Sequence, residues 1–396
     1  MSLDTRARER ELHRLQAQHA RRRRRRIEAI VEPGDATGVR LEGRLLRNFC
    51  SNDYLGLSQH PALLQAAQAS MQRYGFGAGA SHLVTGHCAE HHALEEELAA
   101  FTGRESALLF SSGYMANLGV ISALADRHDL VLSDRWNHAS LLDAARLAGA
   151  RLRRYPHGDA AAAERCLAQS PRQGLLLVTD GVFSMDGDIA PLRALADIAH
   201  HRQGMLMVDD AHGFGVLGAG GGGSLEEAGL DSRAAPILMG TLGKACGSFG
   251  AFVAGEAELI EYLIQRARTY IYTTALPPAV AAASRAALLL QRREPWRRER
   301  VLALTQRFRG AALALGLPLA ASRTPIQPLI VGDASEAVAM SDALMENGYW
   351  VAAIRPPTVP AGSARLRITL SASHREADVD ALVETLGTLW RQRSAA

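Results

Sequence analysis

The sequence predicts an α/β protein: a large domain built on a mostly parallel sheet covered by helices, with a smaller α+β domain at the carboxyl-terminal end. Short, continuously apolar runs alternate with longer segments of helical spacing from about residue 60 onward, the pattern of strands buried on both faces. The 396 residues exceed what one simple core accommodates. With 47% hydrophobic residues, the chain can fill a sizeable core.

The predicted strands are Ala107–Phe110, Leu130–Leu132, Leu175–Val178, Met205–Val208, Ile237–Met239 and Ala251–Val253. Tyr114–Ala125, Leu141–Ala148 and Leu192–His200 carry helical spacing between them. Parallel sheets bind ligands beyond the carboxyl ends of their strands, so the residues just after each run matter most. Gly218–Gly223 is glycine-rich but lacks the Lys and Ser-Thr pair of a phosphate-binding loop, and it reads as a plain loop. After Pro277 and Pro278, Ala279–Arg309 reads as one helix or two, broken near Pro295. A strand (Gln327–Val331), a helix (Ser335–Asn347), two strands (Trp350–Ile354 and Leu366–Leu370) and a helix (Asp378–Arg391) complete the smaller domain. At the other end, residues 1–30 read as a polar helix with a thin stripe of Leu12, Leu15 and Ile27 and a run from Arg21 to Arg26. Pro33 to Gly43 reads as turns. The expected division is an arm over 1–45, a large domain over 46–280 and a small domain, joined by the arm, over 281–396.

Composition narrows the function classes. No apolar run reaches the ~20 residues that span a bilayer. The basic amino-terminal segment has no apolar stretch behind it, and Asp4, Glu9 and Glu11 do not suit a transit peptide. A net charge of +3 gives no reason to expect a nucleic-acid or membrane partner. Cys50, Cys88, Cys166 and Cys246 are scattered, which suits a reduced cytoplasm and suggests neither a disulfide framework nor a zinc site. No metal is expected.

One residue stands apart. Of 44 Lys plus Arg, a single one is lysine, Lys244. Arginine replaces lysine at salt bridges and most anion contacts. It cannot replace an amine that loses its proton and attacks a carbonyl. Lys244 follows the strand Ile237–Met239 in the small-residue loop Thr241-Leu-Gly-Lys-Ala-Cys-Gly247.

Other segments deliver polar groups to the same sheet edge. Met205–Val208 ends in Asp209, a carboxylate that needs a cationic partner if buried, such as a protonated pyridine nitrogen. His212, three residues on, is within reach of a ring oxygen. Phe110-Ser-Ser-Gly-Tyr turns from strand to helix, so Ser112, Gly113 and Tyr114 form a candidate phosphate site. His138 offers a flat ring for stacking, and Ser184 a hydroxyl for ring or phosphate oxygens. Five segments converging on one edge read as a cofactor cleft.

The chain resembles the α-oxoamine synthase family of fold-type I PLP (pyridoxal 5'-phosphate) enzymes. The resemblance rests on Ser51-Asn-Asp-Tyr-Leu-Gly-Leu57, Gly86-x4-His91-x2-Leu-Glu95, Ser112-Gly-Tyr, Asn137-His-Ala-Ser140, Gly181-Val-Phe-Ser-Met-Asp-Gly-Asp188, Val208-Asp-Asp-Ala-His-Gly213, Thr241-Leu-Gly-Lys244 and Arg365-Leu-Arg-Ile-Thr369. These motifs span about residues 45 to 375 in order. The resemblance implies a PLP-dependent transferase fold of type I and a homodimer with its active site at the subunit interface. It implies a reaction that condenses an amino acid with an acyl-CoA, losing CoA and CO2. Ala353-Ile-Arg-Pro-Pro-Thr-Val-Pro360 and Ile326-Gln-Pro-Leu-Ile-Val-Gly-Asp333 point within the family to the members that join L-alanine to pimeloyl-CoA. The alternative is a sister synthase that joins glycine to acetyl-CoA or succinyl-CoA, or serine to a fatty acyl-CoA.

By the same resemblance, Lys244 is the Schiff-base lysine and proton carrier. Asp209 pairs with the pyridinium, His138 stacks on the ring and His212 bonds its oxygen. Ser184 and Thr241 help hold the cofactor, and Thr273 or Thr274 contacts the phosphate of the partner subunit. Asn52 and Arg367 are candidates for the amino-acid carboxylate, with Arg355 next and Thr358 nearby in the same motif. Arg25 and Arg26 are candidates for the CoA phosphates. Two departures stand out: Asp180 where the family usually has Glu, and His82 where many relatives have Arg.

Overall fold

A computed structural model of the chain describes residues 5–17, 24–32, 35–168 and 174–395. It divides into two units. The smaller comprises residues 1–52, 185–187 and 300–396, and the larger comprises 53–184 and 188–299. In chain order the smaller unit begins with α1 (Thr5–Ala17), β1 (Ile27–Glu32), β2 (Asp35–Leu41) and β3 (Arg44–Asn48). The larger unit continues with α2 (Pro61–Tyr74), α3 (Ala89–Thr102), β4 (Ser106–Phe110), α4 (Gly113–Leu124), β5 (Leu130–Asp134), α5 (Ala139–Leu147), β6 (Arg151–Tyr155) and α6 (Ala160–Ala168). Next come β7 (Leu175–Asp180), α7 (Leu192–His201), β8 (Met205–Asp209), α8 (Ser224–Ala228), β9 (Ile237–Thr241), β10 (Ala251–Gly255), α9 (Ala257–Arg266), α10 (Arg268–Ile271) and α11 (Pro278–Arg293). Helix α12 (Trp296–Ala314) leads to β11 (Ile326–Gly332), α13 (Ala334–Glu346), β12 (Tyr349–Trp350), β13 (Ala352–Ile354), β14 (Ala364–Thr369) and α14 (Glu376–Ala395). No helix among the described residues is long and apolar enough to cross a membrane.

The apolar runs become the larger unit's seven-stranded sheet, in the order β4-β10-β9-β8-β7-β5-β6. Strands β9, β8, β7, β5 and β6 run parallel. Strand β10 alone is antiparallel, to β4 and β9. Val120 and Ile121 of α4 and Leu141 of α5 pack with Val131, Val178 and Met207 of the sheet in one buried cluster. Burial on both faces is why the strands read as unbroken apolar runs. Register sets the chemistry: Asp180 lies opposite Asp209 on neighbouring β7 and β8. Both carboxylates therefore leave the sheet at the same end.

The structure corrects four readings. Among the described residues the amino-terminal helix covers Thr5–Ala17, residues 18–23 lie outside them, and Ile27 begins strand β1 rather than closing a helical stripe. β-Branched Ile27, Ile30 and Val31 favour a pleated surface, and β1 pairs antiparallel with β2. Within Pro33 to Gly43, Asp35–Leu41 is strand β2, and Glu42 and Gly43 form the tight turn into β3, with φ of 49° and 76° as a two-residue hairpin requires; Pro33 and Gly34 lie outside the described residues. Strand β6 was missed because its three arginines mask it, and it lies at the sheet edge where charge is tolerated. Trp350–Ile354 is two strands, not one. Strand β12 joins β1-β2-β3, and β13 joins β11 and β14.

Two loops matter. The Gly218–Gly223 loop wraps a carboxylate: the Gly220 and Gly222 N–H groups donate to Glu226 at 2.8 and 2.6 Å. The Lys244 loop is pinned by glycine. Gly247 has φ +62°, donates its N–H to the Lys244 carbonyl at 2.9 Å, and a Cβ there would lie 2.3 Å from the Ser58 backbone nitrogen. Gly158 has φ +66° with open space around it. Gly247→Ala should lower the thermal midpoint by about 4 °C or more, because strain and a backbone clash add. Gly158→Ala should lower it less. Equal losses in differential scanning fluorimetry would refute the close approach.

Candidate active site

Five strand ends of the larger unit build one cavity of about 180 Å³. After β4, Ser112 caps α4, its Oγ accepting from the Met115 N–H at 3.3 Å. The first-turn amides at Gly113 and Tyr114 have no carbonyl partners within the helix and can hold an anion. After β5, Asn137 is buried and braces β7: it donates to the Val178 carbonyl at 2.8 Å and accepts from the Asp180 N–H at 2.9 Å. That brace positions His138, whose N–H donates to Asp180 Oδ2 at 3.1 Å. After β8 come Asp209 and His212, and after β9 come Thr241 and Lys244. Gly113, Tyr114, His138, Ser184, Asp209, His212, Thr241 and Lys244 all line the cavity.

The charged groups are held from behind. Asp209 Oδ2 accepts from the Asn117 amide at 2.7 Å, and Oδ1 accepts from the Ala211 N–H at 3.1 Å. Asn117 also donates to Ser140 Oγ at 2.8 Å, and Ser140 Oγ lies 2.7 Å from His138 Nδ1. One chain of contacts thus ties the carboxylate to the imidazole. The Lys244 amine lies 2.9 Å from His212 Nε2, and the far side of that ring meets the Tyr54 hydroxyl at 2.6 Å. Burial pushes the Asp180 carboxyl well above its ordinary pKa, the Asp209 carboxylate adds to this, and Lys244 opposes it.

The donor set fits PLP. Asn117 Oδ1 and Asp180 Oδ1 are buried without a hydrogen-bond partner. Two carboxylates at one strand end favour a cation between them. A primary amine, an imidazole and a helix amino terminus complete what an aldehyde, a flat ring and a phosphate require. A larger hollow of about 550 Å³ among α2, α3 and α11 is lined by residues such as Arg73, Arg285 and Leu289, and has no strand-end nucleophile.

A model of the class I and II aminotransferases matches residues 46–386. The chain belongs to this family. It is 60% identical over 357 residues to an 8-amino-7-oxononanoate synthase of Methylococcus capsulatus, covering 90% of this chain and 92% of that one. In structure it is similar to a serine palmitoyltransferase from S. paucimobilis with PLP and myriocin bound, at TM-score 0.93, 28% identity and full coverage of both chains. It is also similar to an 8-amino-7-oxononanoate synthase from Francisella tularensis, at TM-score 0.77 and 32% identity, covering 88% of this chain and 99% of that one.

The remaining residues singled out from the sequence of this aminotransferase-family chain lie elsewhere. Thr273 and Thr274 do not line the cavity, and the Thr274 carbonyl accepts from Ser111 Oγ at 3.5 Å. Within the smaller unit, Arg367 donates to Asn52 Oδ1 at 3.3 and 3.2 Å through its two terminal nitrogens. Arg355 donates to the Ala353 carbonyl at 3.4 Å, and the Thr358 N–H to the Arg355 carbonyl at 3.1 Å. Arg25 pairs with Asp342 at 3.3 Å, whereas Arg26 is 88% exposed. Arg21 to Arg23 lie outside the described residues.

Sequence reasoning missed Asn117, Ser140 and Tyr54, and took Asp180 only as a departure. Asp180 carried a usable signal, since Leu175–Asp180 ends in a carboxylate just as Met205–Asp209 does. His157 was missed too. It stacks on Trp136 at 4.0 Å between ring centres and touches Asp134 at 3.1 Å and Asp188 at 2.7 Å. Burial alone would lower its pKa, but the hydrogen bonds to these carboxylates outweigh it and push the pKa up to about 9. The folded pKa lies above the unfolded one, so charged His157 stabilises fully below pH ~6.5, and this is lost as pH rises through about 9. His157→Gln should therefore lower the melting temperature at pH 6, with the gap narrowing toward pH 9.5. A gap that is constant or widens with pH would contradict the ion pairs.

Proposed function

We propose that this chain condenses L-alanine with pimeloyl-CoA to give 8-amino-7-oxononanoate, CoA and CO2, with PLP as cofactor, in biotin biosynthesis. The observation that carries the reading is the chain's single lysine lining the same small cavity as the strand-end carboxylate Asp209. The 60% identity to the Methylococcus capsulatus synthase supports the substrate assignment.

Bound here, PLP supplies an aldehyde that condenses with amines and a ring that accepts an electron pair from carbon. Lys244 removes the proton from the α carbon of alanine and returns one after CO2 has left. Asp209, fixed by Asn117 and Ala211, holds the proton on the pyridine nitrogen. His138 provides the face on which the ring stacks, and His212, braced by Tyr54, meets the ring oxygen. Gly113 and Tyr114, with Ser112, hold the phosphate by their amides. Ser184 and Thr241 complete the cofactor contacts. Thr273 or Thr274 reaches the phosphate of the partner subunit in a homodimer. Arg367, with Asn52 and then Arg355 and Thr358 as further candidates, grips the alanine carboxylate by its planar fork. Arg25 and Arg26 meet the CoA phosphates. The α carbon bonds to the thioester carbonyl carbon, CoA leaves as the thiol, and a proton replaces CO2, so no outside oxidant is needed. Four free cysteines support a reduced, cytoplasmic setting.

Mass analysis after mixing the enzyme with PLP, L-alanine and pimeloyl-CoA should find 8-amino-7-oxononanoate. Preferential turnover of glycine with acetyl-CoA would overturn the substrate assignment. Lys244→Ala and Lys244→Arg should each reduce turnover by about 10³-fold or more, since guanidinium keeps the charge but not the basic amine. Retained activity in the arginine variant would remove Lys244 from the proton transfer.

A further inference from the structure

A cluster of histidines lies apart from the residues that line the cavity. The turn His82–Gly86 precedes α3. Gly86 N–H donates to the Ser81 carbonyl at 3.0 Å, and a Cβ on Gly86 would lie 2.1 Å from the Ala80 carbonyl oxygen. This tight return brings His82 and His87 together, with their Nδ1 atoms 3.0 Å apart. His91, His92 and Glu95 follow on α3.

His91 is already engaged by the backbone. Its Nδ1 accepts from the Cys88 N–H at 3.0 Å, and its Nε2 faces the Leu276 carbonyl at 2.5 Å. His87 differs: Nδ1 is satisfied by His82, and Nε2 faces Glu95 Oε2 at 3.9 Å. His92 precedes Glu95 by three residues, on the same helix face. The donor atoms of His87, His92 and Glu95 all lie within 4.8 Å of one another. Ligands around one tetrahedral zinc sit about 3.3 Å apart, so small side-chain rotations close this set.

We propose that His87, His92 and Glu95 bind a borderline divalent transition metal of the Zn2+ type. Two imidazole nitrogens and one carboxylate oxygen suit such an ion. His82 positions the site by accepting the His87 Nδ1–H, which fixes the tautomer that leaves Nε2 as the ligand atom. Glu95 is steadied from behind, its Oε1 accepting from the Leu109 N–H at 3.0 Å. A water takes the fourth position. The cysteine spacing gave no hint of this site because its donors are two histidines and a glutamate.

The test is equilibrium dialysis of untagged, PLP-loaded protein against ZnCl2, with bound zinc counted by mass spectrometry. Wild type should hold one Zn2+ per chain at micromolar free metal. His92 is 68% exposed at its side chain, so His92→Ala should fold and should weaken binding by about 100-fold. Glu95→Gln should do likewise, His82→Ala should weaken binding by about 10-fold or more, and His201→Ala should leave it unchanged. Zn2+ should raise the melting temperature of wild type and not of His92→Ala. No binding at micromolar zinc, or full binding by His92→Ala with loss in His91→Ala, would overturn the assignment.

Discussion

A carboxylate at the end of a strand buried on both faces is the constraint on which the site rests. Leaving such a group ionised and unpaired costs on the order of several kcal/mol. Asp209 is 5% exposed, and its immediate partners are a neutral amide and a backbone N–H. The neighbouring β7 ends in a second carboxylate, Asp180, in register with the first. Two such groups side by side make the cavity favourable to a cation. Lys244 lines the same cavity, and a protonated ring nitrogen is the cation that the proposed cofactor would bring.

The rest of the larger unit serves that arrangement. Asn117, a fully buried amide on α4, joins Asp209 to Ser140 and so to the ring of His138. Tyr54 and His212 stand behind the amine in the same way. Gly247 holds the Lys244 loop where a side chain would strike the backbone at Ser58. Under the proposed function, each reacting group is thus oriented by a neighbour that does no chemistry itself, which is how small sites reach the positional accuracy catalysis needs.

Much of this was legible in the sequence, for physical reasons. Strands covered on both faces must be apolar throughout, so all but one strand of the large sheet stood out, and polar groups just beyond five of those strands fell at the site. Strand β6 was invisible because an edge position tolerates the arginines that break the pattern. Strand β2 was read as turns because Gly38 sits among turn-forming residues, whereas its pairing with Arg47 of β3 makes it strand. Asn117, Ser140 and Tyr54 escaped notice because a supporting residue is defined by what it touches across the fold. The uniqueness of Lys244 was the clearest signal, since an arginine-rich chain keeps an amine only where guanidinium cannot serve.

The central claim is that Asp209 keeps a proton on the ring nitrogen of the cofactor. Nitrogen-15 NMR of the protein loaded with PLP labelled at the pyridine nitrogen reads that proton directly. The account predicts a protonated nitrogen in wild type at neutral pH and a neutral one in Asp209→Asn. A neutral nitrogen in wild type, or one that stays protonated in Asp209→Asn, would contradict it.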